Sequence, residues 1–337
     1  MGKRKLEESD DNPNKEISDM LYELAEYEKN VTGNVHKYNA YRQAGKSLAN
    51  YPKKISSGKE AKKLPGVGQK IADKIDEYLQ TGKLKKLEEI RKNEKYQAIL
   101  LLTRVSGIGP AKAKELVDLG IRSLEDLEKH KDKLTHHQKI GLKYFHDFEL
   151  RIPRKEISEI EKVIRDEITG IDGEYIVTIC GSYRRGKQSS GDIDCLVSHP
   201  NYTSNKPKKN KVKHESMLKK LVKRLEEIDL LIDTIALGST KYMGVCKMKN
   251  KKTARRLDMR LTPHDQYFCS ILYFTGSDLF NKNMRTHALQ QGYTLNEYSL
   301  RPIGETGVPG NPVPLTSERD IFEYINYEYR EPHERDA

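Results

Sequence analysis

Gly181-Ser182-Tyr183-Arg184-Arg185-Gly186, followed at once by Ser189-Ser190-Gly191-Asp192-Ile193-Asp194-Cys195-Leu196-Val197, is the stretch on which the reading of this chain turns. The apolar run around Asp194 predicts a strand. Residues i and i+2 of a strand face the same way, so Asp192 and Asp194 are expected to grip the same ions. A later run, Arg255-Arg256-Leu257-Asp258-Met259-Arg260-Leu261, alternates similarly and supplies a third carboxylate if it pairs alongside. Three carboxylates on one sheet repel one another unless cations neutralise them, and hard oxygen ligands suit Mg2+. Two such ions can activate an attacking hydroxyl and stabilise the leaving oxygen in phosphoryl chemistry. An isolated Asp-x-Asp is most often a solvated edge or a turn. Here Gly181 and Ser182 allow close backbone approach, and Arg184 and Arg185 supply cations, so several roles of a metal–triphosphate site coincide.

At 337 residues the chain exceeds one typical core and predicts two or more domains. No apolar run approaches membrane-spanning length, and Met1 is followed by charged residues rather than a secretory leader, so no membrane partner is expected. Cys180, Cys195, Cys246 and Cys269 show no CxxC or Cys/His spacing and read as buried thiols rather than zinc ligands or disulfides.

The net charge of +11 is unevenly placed. Residues 1–28 carry a net −5, and residues 29–86 a net +10. A segment this basic, with Tyr38, Tyr41 and Tyr51 interleaved, reads as a nucleic-acid footprint rather than a merely solvated cationic face.

Residues 1–15 are charged, poor in large apolar groups, and expected to be disordered. Their Lys3-Arg4-Lys5 run, as part of an import signal, points to the nucleus, with the cytoplasm as a second compartment. Helical spacing of Ile17, Met20, Leu21, Leu24 and Ala25 predicts a helix from Ile17 to about Lys29, with further helices near 34–50 and 70–80.

An internal repeat organises the next part. Leu64-Pro65-Gly66-Val67-Gly68-Gln69-Lys70-Ile71-Ala72 recurs 41 positions later as Val105-Ser106-Gly107-Ile108-Gly109-Pro110-Ala111-Lys112-Ala113. Apolar-x-Gly-apolar-Gly entering a helix is the helix-hairpin-helix pattern. Gly66, Gly68, Gly107 and Gly109 allow tight turning and close approach, and the helix N-terminus offers free N–H groups to a phosphate. One copy would pass for a packing corner. Two in a basic chain favour a sequence-independent grip on a DNA backbone.

Beyond residue 152 the texture changes. Glu156–Thr169 and Leu218–Glu227 read as helices, and Tyr175–Cys180, Ile193–Ser198 and Leu257–Leu261 as strands. Between them Ser204-Asn205-Lys206-Pro207-Lys208-Lys209-Asn210-Lys211 reads as a solvated basic loop. Gly/Pro turns over 304–314 precede a final helix expected over Ser317–Tyr329. The pattern is an all-α front end and an α+β catalytic half.

The motif around Asp192 resembles the nucleotidyltransferase signature of the family-X DNA polymerases, and the resemblance runs from about Ile17 to Ala337. It implies a multidomain α and α+β fold. A disordered tail (1–15) precedes a lyase domain with the first hairpin (16–90) and a thumb-like DNA-binding subdomain with the second (91–152). A catalytic palm with a mixed sheet (153–262) and an α+β nucleotide-selection subdomain (263–337) complete it. Tyr273-Phe274-Thr275-Gly276-Ser277-Asp278 and Phe280-Asn281-Lys282-Asn283-Met284-Arg285 are similar to the family's nucleotide-selection segment. The resemblance implies that Tyr273, Phe274 and Gly276 crowd the sugar, that Asp278 and Asn281 touch the incoming base, and that Arg285 contacts the template. Without it the two aromatics would read as core.

The same resemblance assigns the triphosphate to Arg151, Ser182, Arg185, Ser190 and Gly191. It gives both Mg2+ ions to Asp192 and Asp194, and only the catalytic ion to Asp258, which helps deprotonate the primer 3′-hydroxyl. Arg256, two residues before Asp258, is expected to restrain that carboxylate and is counted among the DNA-contacting groups. In the basic front domain the family carries a 5′-deoxyribose phosphate lyase, which needs a partly unprotonated amine to form a Schiff base. The residues themselves offer Lys37, Lys62, Lys63, Lys70 and Lys74 without choosing. The resemblance selects Lys74, with His36, Lys37, Tyr41, Lys70 and Lys86 around the 5′-phosphate. It also implies Na+ or K+ held by the carbonyls of Lys62, Leu64 and Val67, and of Thr103, Val105 and Ile108.

The expected function is a gap-filling DNA-directed DNA polymerase of base excision repair with lyase activity. The expected partners are dNTP, gapped or nicked DNA with a 5′-phosphate and, in addition, repair proteins; the expected state is a monomer. The alternative is a template-independent nucleotidyltransferase, against which the paired hairpins and Tyr273–Arg285 argue. The lysines at 247–252 and in the 204–223 region lie outside the matched motifs.

Overall fold

The computed structural model describes residues 12–204 and 211–336, the side chains from 217 onward in the second stretch. The Lys3-Arg4-Lys5 run, most of the tail expected to be disordered, and nearly all of the 204–211 basic loop lie outside the described residues. The chain forms two compact units, residues 1–145 and 146–337.

The first unit is all-helical. Helix α1 (Lys15–Tyr27) buries Ile17, Met20, Leu21 and Leu24 on one stripe. The α-helix stops at Tyr27, two residues short of the sequence expectation, and continues as a π turn over Glu28–Thr32 that Gly33 ends at φ +70. Helices α2 (Val35–Ala49), α3 (Gln69–Thr81) and α4 (Lys85–Lys92) complete this core, which the basic residues surround. A second core is built from α5 (Glu94–Leu102), α6 (Pro110–Asp118) and α7 (His136–Lys143).

The two repeats fold alike. Gly66 and Gly107 sit at φ +81 and +88, where only glycine is unstrained. The Leu64 carbonyl accepts from Val67 N–H and the Val105 carbonyl from Ile108 N–H, so each loop closes on the same hydrogen bond. In the second repeat, α7 presses on the loop: Gln138 Nε2 donates to the Gly107 carbonyl at 3.0 Å, and Ser106 Oγ lies 3.0 Å from His137 Nε2. A Cβ on Gly141 would fall 2.1 Å from the Ser106 carbonyl oxygen. Gly141→Ala should therefore push α7 off the hairpin and destabilise this unit by about 1–3 kcal/mol. The check is a lower urea midpoint at unchanged m-value.

The second unit is α+β. Helix α8 (Arg154–Ile171) lays Ile157, Ile160, Ile164 and Ile168 on a five-stranded sheet. Its strands are β1 (Ile176–Ile179), β2 (Ile193–Ser198), β3 (Leu231–Leu237), β4 (Lys241–Cys246) and β5 (Arg255–Leu261), in spatial order β1-β2-β5-β4-β3. Among the described residues only the β2/β5 pair of this sheet is parallel. The β3/β4 hairpin was not anticipated from the sequence, because register shifts near Leu231 and Thr234 break the alternation. Helix α9 (Lys211–Glu227) covers the same core. Buried Arg255 ties β5 to α8 through Glu156 at 2.7 and 2.8 Å.

Beyond the sheet, α10 (Tyr267–Thr275), α11 (Asp278–Gln290) and α12 (Glu318–Tyr324) enclose a separate small core. Helix α12 is shorter than the expected Ser317–Tyr329. Asn326 turns the chain at φ 49, and Tyr327 and Tyr329 pack back on Phe322. All four cysteines are free and buried, as expected, and burial pushes the Cys195, Cys246 and Cys269 thiols up to about 12.

Candidate active site and nucleic-acid interface

Parallel pairing of β2 with β5 sets Asp194 directly opposite Asp258. The alternation of β5 buries Leu257 and Met259 and turns Arg256, Asp258 and Arg260 to the other face. Asp192 departs from the expectation in one respect: the strand begins at Ile193, so Asp192 stands in the bend before it rather than in the ladder. The turn through Gly191 interrupts the pairing there. Its charge still acts on Asp258, whose carboxyl is held above the ordinary aspartate range first by burial and also by Asp192. Arg256 opposes this, gripping the two Asp258 oxygens at 2.9 and 3.3 Å. Gly181 is required beside them, because it sits at φ +59 and a Cβ there would come within 2.6 Å of Asp194 Oδ2.

The expected phosphate residues converge on one turn. Residues Ile152–Pro153 pair with Ser189–Ser190, and Arg151 donates to Ser189 Oγ at 2.6 Å and to the Ser189 carbonyl at 2.5 Å. Ser182 Oγ donates to Ser190 Oγ at 2.9 Å. Arg185 is buried and engaged within the protein, donating to the Thr275 carbonyl at 2.7 Å and pairing with Asp336 at 2.6 Å. An added Cβ on Gly276 would meet Arg185 Nη1 at 3.3 Å, so the phosphate turn and the nucleotide-selection segment adjoin.

Within that segment, Tyr273 and Phe274 pack edge to face at 5.1 Å. Arg285 lies over Tyr273 and Arg260 over Phe274, at 5.4 and 4.9 Å. Asn281 Nδ2 donates to the Tyr273 carbonyl at 2.8 Å, and Arg285 Nε to the Asn281 carbonyl at 3.3 Å. Asp278 is exposed in the first turn of α11.

In the first unit, the residue that sequence reasoning missed is Glu28. Only 1% exposed, it accepts from Thr32 Oγ1 at 2.7 Å and faces Lys37 at 3.5 Å and Lys86 at 3.9 Å. Tyr41 is buried nearby, and burial, then Glu28, raise its hydroxyl pKa. Thus Lys37, Tyr41 and Lys86, three of the five residues expected around a 5′-phosphate, lie around a carboxylate. Glu28 ends an acidic stretch at the edge of the basic segment, but that placement does not mark it as buried. His36 is exposed. Lys70 and Lys74 lie one turn apart on α3, where the Lys74 ammonium donates to the Lys70 carbonyl at 3.2 Å.

The hairpin glycines divide into two kinds. Gly66 and Gly107 are demanded by backbone conformation. Gly68 and Gly109 have ordinary extended geometry, φ −83 and −87, and a Cβ on either would meet nothing of this chain. Internal packing does not explain glycine there. Both stand at the N-caps of α3 and α6. Of the carbonyls assigned to a monovalent cation, those of Leu64 and Val105 already accept from within their loops.

One further acidic group was not anticipated: Asp172, Glu174 and His199 bring ligand atoms within 4.8 Å of one another. The Asn201 N–H donates to His199 Nδ1 at 3.1 Å, which leaves the ring proton on Nε2, aimed at Asp172 3.1 Å away. A metal at Nε2 would have to displace that proton, so the set fits a brace between α8 and the end of β2 better than a metal centre.

Comparison with known proteins agrees with this architecture. Residues 151–264 match the DNA polymerase beta palm, 12–84 a helix-hairpin-helix domain, 270–336 the DNA polymerase beta thumb and 100–149 the fingers domain of DNA polymerase lambda. These descriptions name 100–149 fingers, where the sequence reading used a thumb-like label for 91–152. The chain is similar to DNA polymerase lambda of Arabidopsis thaliana (34% identical, over 94% of this chain and 64% of that protein). It is equally identical to DNA polymerase lambda of Rattus norvegicus (34%, over 96% of this chain and 56% of that one). DNA nucleotidylexotransferase of Xenopus laevis is 28% identical over 88% of this chain and 64% of its own length. The chain therefore spans less than two thirds of these relatives. The matching family descriptions carry the names of both DNA polymerase beta and DNA polymerase lambda, while both of these polymerase relatives are DNA polymerase lambda. From its helix-hairpin-helix domain, palm and thumb, the chain belongs to the family-X DNA polymerases.

Proposed function

We propose that this chain is a gap-filling DNA-directed DNA polymerase of base excision repair, working in the nucleus, that also removes 5′-deoxyribose phosphate. The observation that carries the polymerase reading is the parallel register of Asp194 with Asp258, with Asp192 acting on the same carboxylate. The donor set fits divalent cations: it is all carboxylate oxygen, without sulfur or imidazole. Bound Mg2+ would be held by Asp192, Asp194 and Asp258 and would supply charge neutralisation and activation of the attacking oxygen.

The protein's own groups do the rest. Asp258, restrained by Arg256, receives the proton of the primer 3′-hydroxyl. Ser182, Ser190 and Arg185, with the Gly191 backbone, receive the triphosphate, and Arg151 pins the Ser189–Ser190 strand that carries them. Tyr273 and Phe274, held by Arg285 and Arg260, bound the sugar. The hairpins grip the DNA backbone through Gly68 and Gly109, whose open faces support this assignment. For the lyase step, the Lys74 amine attacks the open sugar aldehyde, water leaves, and the Schiff base forms. A proton is then lost from C2′ as the C3′–O bond breaks. Glu28 arranges Lys37 and Lys86 for the 5′-phosphate.

The test is single-nucleotide incorporation on DNA with a one-nucleotide gap. Incorporation should require Mg2+, cease with EDTA, and follow the template base. Equal extension of primers lacking a template would favour the second reading, a template-independent transferase, to which the similarity to DNA nucleotidylexotransferase gives weight.

A further inference from the structure

Residues 331–336 fold back over the turn that carries Arg185. Arg335 anchors them and is 0% exposed. Its guanidinium donates to Glu318 and, through Nε, to the Arg330 carbonyl at 2.9 Å. It also lies over the rings of Phe280, Phe322 and Tyr329 at 5.7, 5.3 and 5.8 Å. The Arg335 carbonyl in turn accepts from Ser277 N–H at 3.1 Å. So fixed, the chain delivers the next side chain, Asp336, to the phosphate turn. One Asp336 oxygen accepts from Arg185 Nε at 2.6 Å, and the other faces Lys187 Nζ at 3.1 Å.

An anion with one oxygen on a guanidinium and another on an ammonium is the arrangement in which proteins hold phosphate. We infer that Asp336 sets the nucleotide affinity of this site by standing, as an internal anion, on the Arg185 guanidinium that receives the triphosphate and on its neighbour Lys187. The inference rests on the reading of Arg185 as a phosphate ligand. A guanidinium only 7% exposed requires a counter-charge, and Asp336 supplies it. An incoming triphosphate competes for the same nitrogens and is repelled by the same carboxylate. Asp336 is 31% exposed and can swing outward while the Arg335 anchor stays. The site then binds nucleotide only in the fraction of molecules whose carboxylate has left, and apparent affinity falls by that fraction.

The test measures KM for dNTP on one-nucleotide-gapped DNA with Mg2+ for the wild type, Asp336→Asn, Asp336→Ala and Arg185→Ala. Asp336→Asn keeps the shape and removes the charge, so KM should fall by about twofold to fivefold, as for relief of a partly exposed ion pair. Asp336→Ala should lower it as well. The melting temperature without nucleotide should drop slightly, and the rise produced by saturating dNTP should grow. If Asp336 merely steadied the fold, both variants would raise KM along with the lower melting temperature, and that result or an unchanged KM overturns the inference. Arg185→Ala reports on the underlying assignment separately. A raised KM upholds Arg185 as a phosphate ligand, and an unchanged KM removes that assignment whatever Asp336 does.

Discussion

Asp258→Ala should lower kcat for nucleotide incorporation on the order of 10³-fold or more while leaving KM for dNTP within a small factor of the wild type. A loss of that size corresponds to about 4 kcal/mol of transition-state stabilisation. The asymmetry follows from position. The phosphate turn is built by Arg151, Ser182, Ser189 and Ser190, through hydrogen bonds in which Asp258 has no part. Asp258 stands instead on β5, opposite Asp194, and its carboxyl is the one held upward by burial and by Asp192. A carboxylate so poised suits proton acceptance, and its removal takes away the acceptor together with an oxygen that would hold the proposed metal ion. Arg256→Gln should cost far less, since it leaves the carboxylate and removes only its restraint. Asp258→Asn, which keeps the shape, should be as inactive as alanine. Near-normal kcat with a raised KM in either Asp258 variant would place Asp258 in nucleotide binding and sink the assignment.

Much of this site was legible because its logic is local. Asp194 and Asp258 each sit in an alternating run, and alternation fixes the face of every side chain once a strand forms. What alternation cannot supply is the neighbour. That β2 and β5 pair in parallel with Asp194 opposite Asp258 depends on the crossover through α9, β3 and β4, part of it a hairpin whose own pattern is broken by bulges. The hairpin repeat was legible for the same reason as the strands, since a pair of glycines at fixed spacing encodes a turn without reference to the rest of the chain. Glu28 and Asp336 were not. Neither belongs to a motif, and each acquires its role by meeting cations from elsewhere: Lys37 and Lys86 for one, Arg185 and Lys187 for the other. Arg185 shows the converse. The family resemblance assigns it to the triphosphate, but only the folded chain reveals that Asp336 and Thr275 already hold it.

Borohydride added during turnover on an incised abasic site should trap a covalent DNA adduct, and peptide mapping should place it on Lys74. Among the lysines that sequence alone left open, the fold separates several by their engagements. Lys37 is engaged by the buried Glu28 carboxylate at 3.5 Å. Lys62 donates to Gln69 Oε1 at 2.8 Å. Lys74 is half-buried on α3 and donates only to a neutral carbonyl, that of Lys70, and the Lys70 side chain one turn away brings a second cation to the same face. Among the described residues no carboxylate holds the Lys74 ammonium, which leaves it to reach a substrate aldehyde. Lys74→Ala should therefore cut lyase turnover by about 10²-fold or more, the scale on which a single positioned catalytic group contributes. Metal-dependent gap filling should persist, because the three aspartates belong to the other compact unit. If Lys74 were one more phosphate-steering cation, the variant would bind DNA more weakly and low salt would restore its lyase activity, since counterion release governs such contacts. Rescue by low salt, or an adduct mapped chiefly to Lys37 or Lys70 in the wild-type protein, would overturn the assignment. A minor adduct at Lys70 in the Lys74→Ala protein would not, because a neighbouring amine on the same helix face can take over a vacated role at reduced rate.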